Sequence, residues 1–195
     1  MNDTTVPPRS IELMSRHDTA LLVVDVQERL LPLIDNNERM VWNIRRLIDA
    51  ATLLGLPFAA TEQYPQGLGG TTPALTERLG EIAEKRRFSC GQVTSILGPW
   101  TEAGTNKILV VGIEAHVCVQ QTVLDTMAQG FTVFVAVDAI ASRHELDREY
   151  ALRRMESCGA TLTTTEAAVF EWCETSEAAE FKQISQLVQE VFPGS

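Results

Sequence analysis

The chain has little of what a cross-linked scaffold or a bound metal needs. Its four cysteines, Cys90, Cys118, Cys158 and Cys173, are widely spaced and form no CxxC pair. That pattern argues against a disulfide framework and against a zinc site. Three histidines, His17, His116 and His144, are too scattered for a helical H-E-x-x-H ligand set. No metal and no cofactor is therefore expected. No apolar run reaches the roughly 20 residues of a membrane span, and residues 1–10 carry no apolar stretch behind a charged start. Reduced thiols in a cytoplasmic protein, away from any membrane, are the expectation. Basic residues are also scarce: 16 against 26 acidic ones leave a formal net charge of -10. Binding nucleic acid or an anionic membrane by counterion release needs a basic face, so neither is expected as a partner. The one dense basic run, Lys85-Arg86-Arg87, is too short to form such a face.

What is present is a composition ordinary for a globular protein, with a length sufficient for one full core. No repeat, linker or low-complexity tract divides it. A flexible lead-in over residues 1–17 and one domain over 18–195 are expected. Apolar segments at 20–25, 57–61, 107–112 and 131–137 are short, rich in Val, Ile, Leu or Phe, and apolar on both alternations. A parallel strand covered by helices on both faces requires that pattern. A weaker strand is read at 160–163. Amphipathic helices are read at 36–54, 117–129, 146–158 and 178–191, the first three ended by Gly55, Gly130 and Gly159. Strand and helix alternate, which predicts a doubly wound α/β sandwich. The segment 64–73, with Gly67, Gly69 and Gly70, has no periodicity and reads as a loop at the carboxyl edge of the sheet, where ligands bind.

Three residues stand where that edge could carry chemistry. Asp25 closes the first apolar strand; it is either an acid of the site or a cap on the following turn. Lys85 lies in Glu84-Lys85-Arg86-Arg87 and, taken alone, reads as part of a solvated charge cluster. Cys118 follows the strand ending at Gly112 and heads a helix. There the macrodipole would favour its thiolate and free N–H groups could receive an oxyanion. The bland alternative is a small buried apolar side chain. Taken together, the three supply a nucleophile, a proton acceptor and a cation.

These segments resemble the isochorismatase-like cysteine hydrolases, a superfamily that includes nicotinamidase. The matching pieces are Ala20-Leu-Leu-Val-Val-Asp25-Val-Gln27, Lys85-Arg-Arg-Phe-Ser89 and Gly112-Ile-Glu-Ala-His-Val-Cys118-Val-Gln-Gln-Thr122, in the family's order and spacing. Thr61-Glu-Gln-Tyr-Pro-Gln-Gly-Leu-Gly69 and Asp138-Ala-Ile-Ala-Ser-Arg143 resemble the subgroup of isochorismatase domain-containing proteins. The resemblance implies a three-layer α/β/α sandwich with a mostly parallel six-stranded sheet and an Asp25–Lys85–Cys118 triad. It also implies a cis peptide at Ile113–Glu114 and an oxyanion hole made by the N–H groups of Glu114 and Cys118. Gln27, Gln63, Tyr64 and His116 are candidates to line the substrate pocket, and a homo-oligomer is expected.

The departures narrow the reaction. Nicotinamidases hold a metal with histidines after the second strand, and Thr61-Glu62-Gln63-Tyr64 contains none. His116 stands where many relatives have an aspartate, and is read as a tuning group or a hydrogen-bonded structural histidine. Isochorismatases proper lack the cysteine, so Cys118 points to a small amide or imide cleaved through a thioester. Two other readings stay open: a catalytically silent fold serving as an interaction module, and a nucleotide-binding domain. The latter finds no G-x-G-x-x-G after the first strand.

Overall fold

The computed structural model describes residues 8–193. Among them, strands β1 (Thr19–Val24), β2 (Phe58–Gln63), β3 (Ile82–Lys85), β4 (Lys107–Ile113), β5 (Thr132–Ala141) and β6 (Thr161–Thr163) form one sheet. Its order is β3-β2-β1-β4-β5-β6, and every pairing is parallel. The order reverses between β1 and β4, so a crevice opens at the carboxyl ends of those two strands.

The helices are α1 (Asn37–Leu54), α2 (Pro65–Leu68), α3 (Pro73–Thr76), α4 (Thr94–Glu102), α5 (Gln120–Ala128), α6 (Glu145–Ser157), α7 (Thr165–Cys173) and α8 (Phe181–Val188). Successive strand residues point to opposite faces, and both faces are covered. Leu21, Val23, Leu109, Val111 and Ile113 pack on one side with buried residues of α1, α7 and α8. Ala20, Leu22, Val24, Ile108 and Val110 pack on the other with residues of α4, α5 and α6. Apolar side chains on both alternations of each central strand thus become two cores, and the layers are α/β/α.

Several elements differ from the sequence reading. The sixth strand is β3, a short edge strand in which Glu84 faces solvent and Lys85 is buried. Helix α4 escapes a periodicity reading because Pro99 and Gly98 lie within it, and α7 was not foreseen. The carboxyl-terminal helix is α8, shorter than 178–191. The segment 64–73 contains the short α2 and the start of α3.

The lead-in expected over 1–17 lies partly outside the described residues, and its described part is docked. Arg9 donates to the carbonyls of Met14 (2.6 Å) and Glu171 (2.8 Å), and Met14 is fully buried. Lys107 Nζ donates to the Leu13 carbonyl at 2.7 Å. These contacts fasten residues 9–17 to the sheet and α7.

One glycine sets the geometry at the switch point. Gly112 pairs with Val24 and has φ of 116°. A Cβ built there would lie 2.1 Å from the Val24 carbonyl oxygen. Only glycine lets β4 approach β1 so closely while in that conformation. The approach brings the residue after β1, Asp25, toward the turn after β4.

Candidate active site

Asp25 follows β1, is fully buried, and has φ of 52°. A non-glycine residue in the left-handed region is uncommon, and Asp tolerates it better than most. The turn is closed by the Gln27 N–H donating to the Asp25 carbonyl at 2.8 Å. A side chain that would otherwise continue along the strand is thereby redirected at the sheet edge.

Lys85 ends β3 two strands away, and its side chain is 4% exposed. Nζ donates to Asp25 Oδ2 at 2.6 Å, to Gln63 Oε1 at 2.9 Å, and to the carbonyls of Phe88 at 2.8 Å and Arg87 at 3.2 Å. The solvated-cluster reading of Lys85 is thus replaced: its neighbours Arg86 and Arg87 are exposed, but its own charge is caged. A buried ammonium persists only with such partners. The other Asp25 oxygen, Oδ1, accepts from Thr61 Oγ1 at 2.8 Å. Thr61 Oγ1 also lies 3.4 Å from Cys90 Sγ. A hydroxyl has one proton, so with that proton on Asp25 the Cys90 thiol is the donor in this contact.

Cys118 sits within a single π turn, Ala115–Val119, that runs directly into α5. Such turns often occur at functional positions. The Ile113–Glu114 peptide that leads into it is cis. The thiol is buried, within electrostatic reach of the Asp25 carboxyl and the Lys85 ammonium. Burial, followed by the negative charge of Asp25, pushes the Cys118 thiol well up from its ordinary range, and the Lys85 charge offsets only part of this. That corrects the expectation of a dipole-stabilised thiolate. The helix terminus is outweighed by desolvation and by the neighbouring Asp25, so the resting thiol is neutral. Burial also raises Cys90, with Asp25 again adding to the effect.

The proposed pocket residues have distinct surroundings. Gln27 is fully buried; its amide donates to the carbonyls of Gln63 (3.0 Å) and Gly69 (2.6 Å) and accepts from Gln63 N–H (2.8 Å). Gln63 holds Lys85 with its oxygen and donates to the Arg86 carbonyl at 2.9 Å. Both glutamines are therefore engaged in the frame around the ammonium. Tyr64 is 45% exposed at the rim, with the Arg86 guanidinium 4.2 Å above its ring. His116 Nδ1 lies 3.0 Å from Ser142 Oγ, and Nε2 lies 3.9 Å from Asp147. Glu114 is buried and paired with Arg143.

Thr61 was missed by sequence reasoning, although it carried the same signal as Asp25. It is a polar residue at the end of an apolar segment, and it pairs in register with Val24, the residue before Asp25. Among the described residues, no group of three His, Cys, Asp or Glu side chains is placed to hold a metal ion. No helix among them is long and apolar enough to cross a membrane. All four cysteines are free thiols.

The fold and the site define a class: a three-layer α/β sandwich with a buried carboxylate, ammonium and thiol gathered at the carboxyl edge of a parallel sheet. The chain belongs to the isochorismatase-like hydrolase family, since residues 19–167 match the isochorismatase domain. Human isochorismatase domain-containing protein 2 is 36% identical over 180 residues, covering 91% of this chain and 86% of the relative. Isochorismatase domain-containing protein 1 of Salmo salar is 33% identical over 91% of this chain, which spans 63% of that longer protein. A solved structure described as the MAR1 ribonuclease of Caenorhabditis elegans is 40% identical, with a TM-score of 0.85 over 93% of this chain and 94% of that one. The YcaC gene product of Escherichia coli, described as an octameric hydrolase of unknown specificity, shares the fold at 24% identity and a TM-score of 0.83, over 92% of this chain and 91% of that one.

Proposed function

We propose that this chain is a cysteine hydrolase that cleaves a C–N bond of a small amide or imide through a thioester on Cys118. The observation that carries the reading is the buried Cys118 thiol within electrostatic reach of Asp25, whose Oδ2 is held by Lys85 at 2.6 Å. Because the resting thiol is protonated, proton transfer must accompany attack. Asp25 takes the thiol proton as Cys118 Sγ bonds to the substrate carbonyl carbon, and the carbonyl π pair moves to oxygen. The N–H groups of Glu114 and Cys118 receive that oxyanion; one such donor is typically worth about 3–4 kcal/mol. Collapse breaks the C–N bond, and Asp25 returns the proton to the leaving nitrogen. Water then attacks the thioester with Asp25 again accepting a proton, which goes back to the departing sulfur. Lys85 holds Asp25 in place throughout. Tyr64 and His116 border the substrate, with Gln27 and Gln63 behind the ammonium.

Ammonia release across a panel of small amides and imides tests this, with Cys118→Ala and Asp25→Asn as controls. A substrate turned over equally well by Cys118→Ala would refute the assignment. The C. elegans relative is described as a ribonuclease. A net charge of -10 favours a small molecule over a polyanion here. RNA degradation by the wild type but not by Cys118→Ala would reverse that choice. We also propose a homo-oligomer, in keeping with the octameric E. coli neighbour; light scattering on a sizing column measures it.

A further inference from the structure

The segment Asp138–Arg143 was singled out by its sequence, yet none of its residues takes part in the proposed chemistry. Its polar side chains have separate tasks. Asp138 accepts from Thr165 N–H at 2.8 Å and from Asn43 at 3.3 Å, fastening the middle of β5 to α7 and α1. Ser142 and Arg143, in the connection from β5 to α6, turn the other way, toward residues 114–118. Arg143 donates to the Glu114 carboxylate through its own backbone N–H (3.0 Å) and through Nε (3.0 and 3.2 Å). Ser142 Oγ meets His116 Nδ1 at 3.0 Å. The Glu114 side chain is 8% exposed, whereas that of Arg143 is 47% exposed. A nearly buried carboxylate is thus held by a cation that reaches in from the surface.

We infer that Arg143, seconded by Ser142, is a positioning residue that clamps the turn carrying the oxyanion donors and the nucleophile. This rests on the cysteine-hydrolase reading and deepens it. The clamp engages the side chains of Glu114 and His116 and leaves the thiol and its base untouched. Its loss should therefore misplace the Glu114 N–H while sparing the Cys118–Asp25 pair. Oxyanion stabilisation falls off steeply with donor position. A buried carboxylate that has lost its cation also pulls toward water, carrying its own N–H with it.

Two probes of Cys118 separate these effects. Acylation by p-nitrophenyl acetate passes through an oxyanion; alkylation by iodoacetamide displaces iodide at carbon and does not. In Arg143→Ala, acylation of Cys118 should slow by about 10- to 100-fold. Site-resolved mass spectrometry should find its alkylation within about twofold of wild type. Arg143→Lys, which keeps the cation, should acylate close to the wild-type rate. Adding Glu114→Gln to Arg143→Ala removes the stranded charge and should restore most of the acylation. The inference is overturned if Arg143→Ala acylates normally, or if acylation and alkylation fall by the same factor. If circular dichroism shows Arg143→Ala unfolded, Ser142→Ala carries the same comparison and the same criteria. A wild type that acquires no acetyl group on Cys118 refutes the hydrolase reading itself. Normal acylation of both wild type and clamp variants sinks the clamp alone.

Discussion

Replacing Lys85 by Met tests whether the site is held together as described. The substitution keeps the bulk of a side chain that is 4% exposed and deletes its ammonium. Asp25, fully buried, then keeps only the Thr61 hydroxyl as a hydrogen-bonded side-chain donor among the described residues. Gln63 Oε1 loses its donor as well, while the Arg87 and Phe88 carbonyls are only part-buried and can turn to water. Removing one partner of a buried pair costs about 3–5 kcal/mol. At this chain length each kcal/mol lowers Tm by about 2–4 °C, so a fall of roughly 10 °C is expected. Asp25→Asn should cost less, because the ammonium retains the acceptors on Gln63, Arg87 and Phe88. The double variant, with neither charge, should be more stable than the sum of the two losses predicts, by at least about 1 kcal/mol. Urea unfolding of the four proteins gives the cycle. Strict additivity, or a Lys85→Met protein as stable as wild type, would refute the claim that the pair is coupled and desolvated.

Other expectations follow from the same geometry. Cys118 and Cys90 have thiols raised above the 9.0 of a free cysteine, chiefly by burial. Above that pH the unfolded chain releases protons that the folded chain retains. Their contribution to stability is therefore complete below about pH 9 and lost as pH rises; Tm should fall less steeply on the alkaline side in Cys118→Ala than in wild type, and superimposable curves would contradict this. Thr61→Val deletes the hydroxyl that donates to Asp25 and accepts from Cys90. It should cost about 1–3 kcal/mol, with Thr61→Ser near wild type by the same urea assay. Gly112→Ala would drive a Cβ into the Val24 carbonyl at a left-handed φ. A loss above about 4 kcal/mol or an insoluble product is expected, and a soluble protein of unchanged Tm would show that β1 and β4 do not approach as described.

The two central strands and their chemistry were legible because each signal is local. An apolar run closed by Asp25, and another ending at Gly112 before a helix with Cys118, announce a sheet edge with functional groups on it. Lys85 was legible only through resemblance. Its strand, Ile82–Lys85, is a short edge strand with a charged residue at its exposed position, so neither length nor periodicity sets it apart from a loop. The cage around its ammonium is also non-local: Asp25, Gln63 and the carbonyls of residues 87 and 88 come from the turn after β1, from β2 and from the loop after β3. No window on the sequence contains them.

The state of the thiol was illegible for a further reason. Helix position predicted a thiolate, because a macrodipole can be read from where a helix starts. The competing terms, burial and the distance to Asp25, exist only once β1 and β4 are side by side. In the folded chain the competing terms win, and this changes the chemistry expected of the site. An enzyme with a resting thiolate reacts with any accessible electrophile. A thiol on a carboxylate becomes a nucleophile only as its proton moves, which couples reactivity to a substrate seated where the oxyanion donors can reach it. The proposed clamp from Arg143 and Ser142 onto the 114–118 turn matters most in a site of that second kind, because there a seated substrate must meet both the thiol and the oxyanion donors.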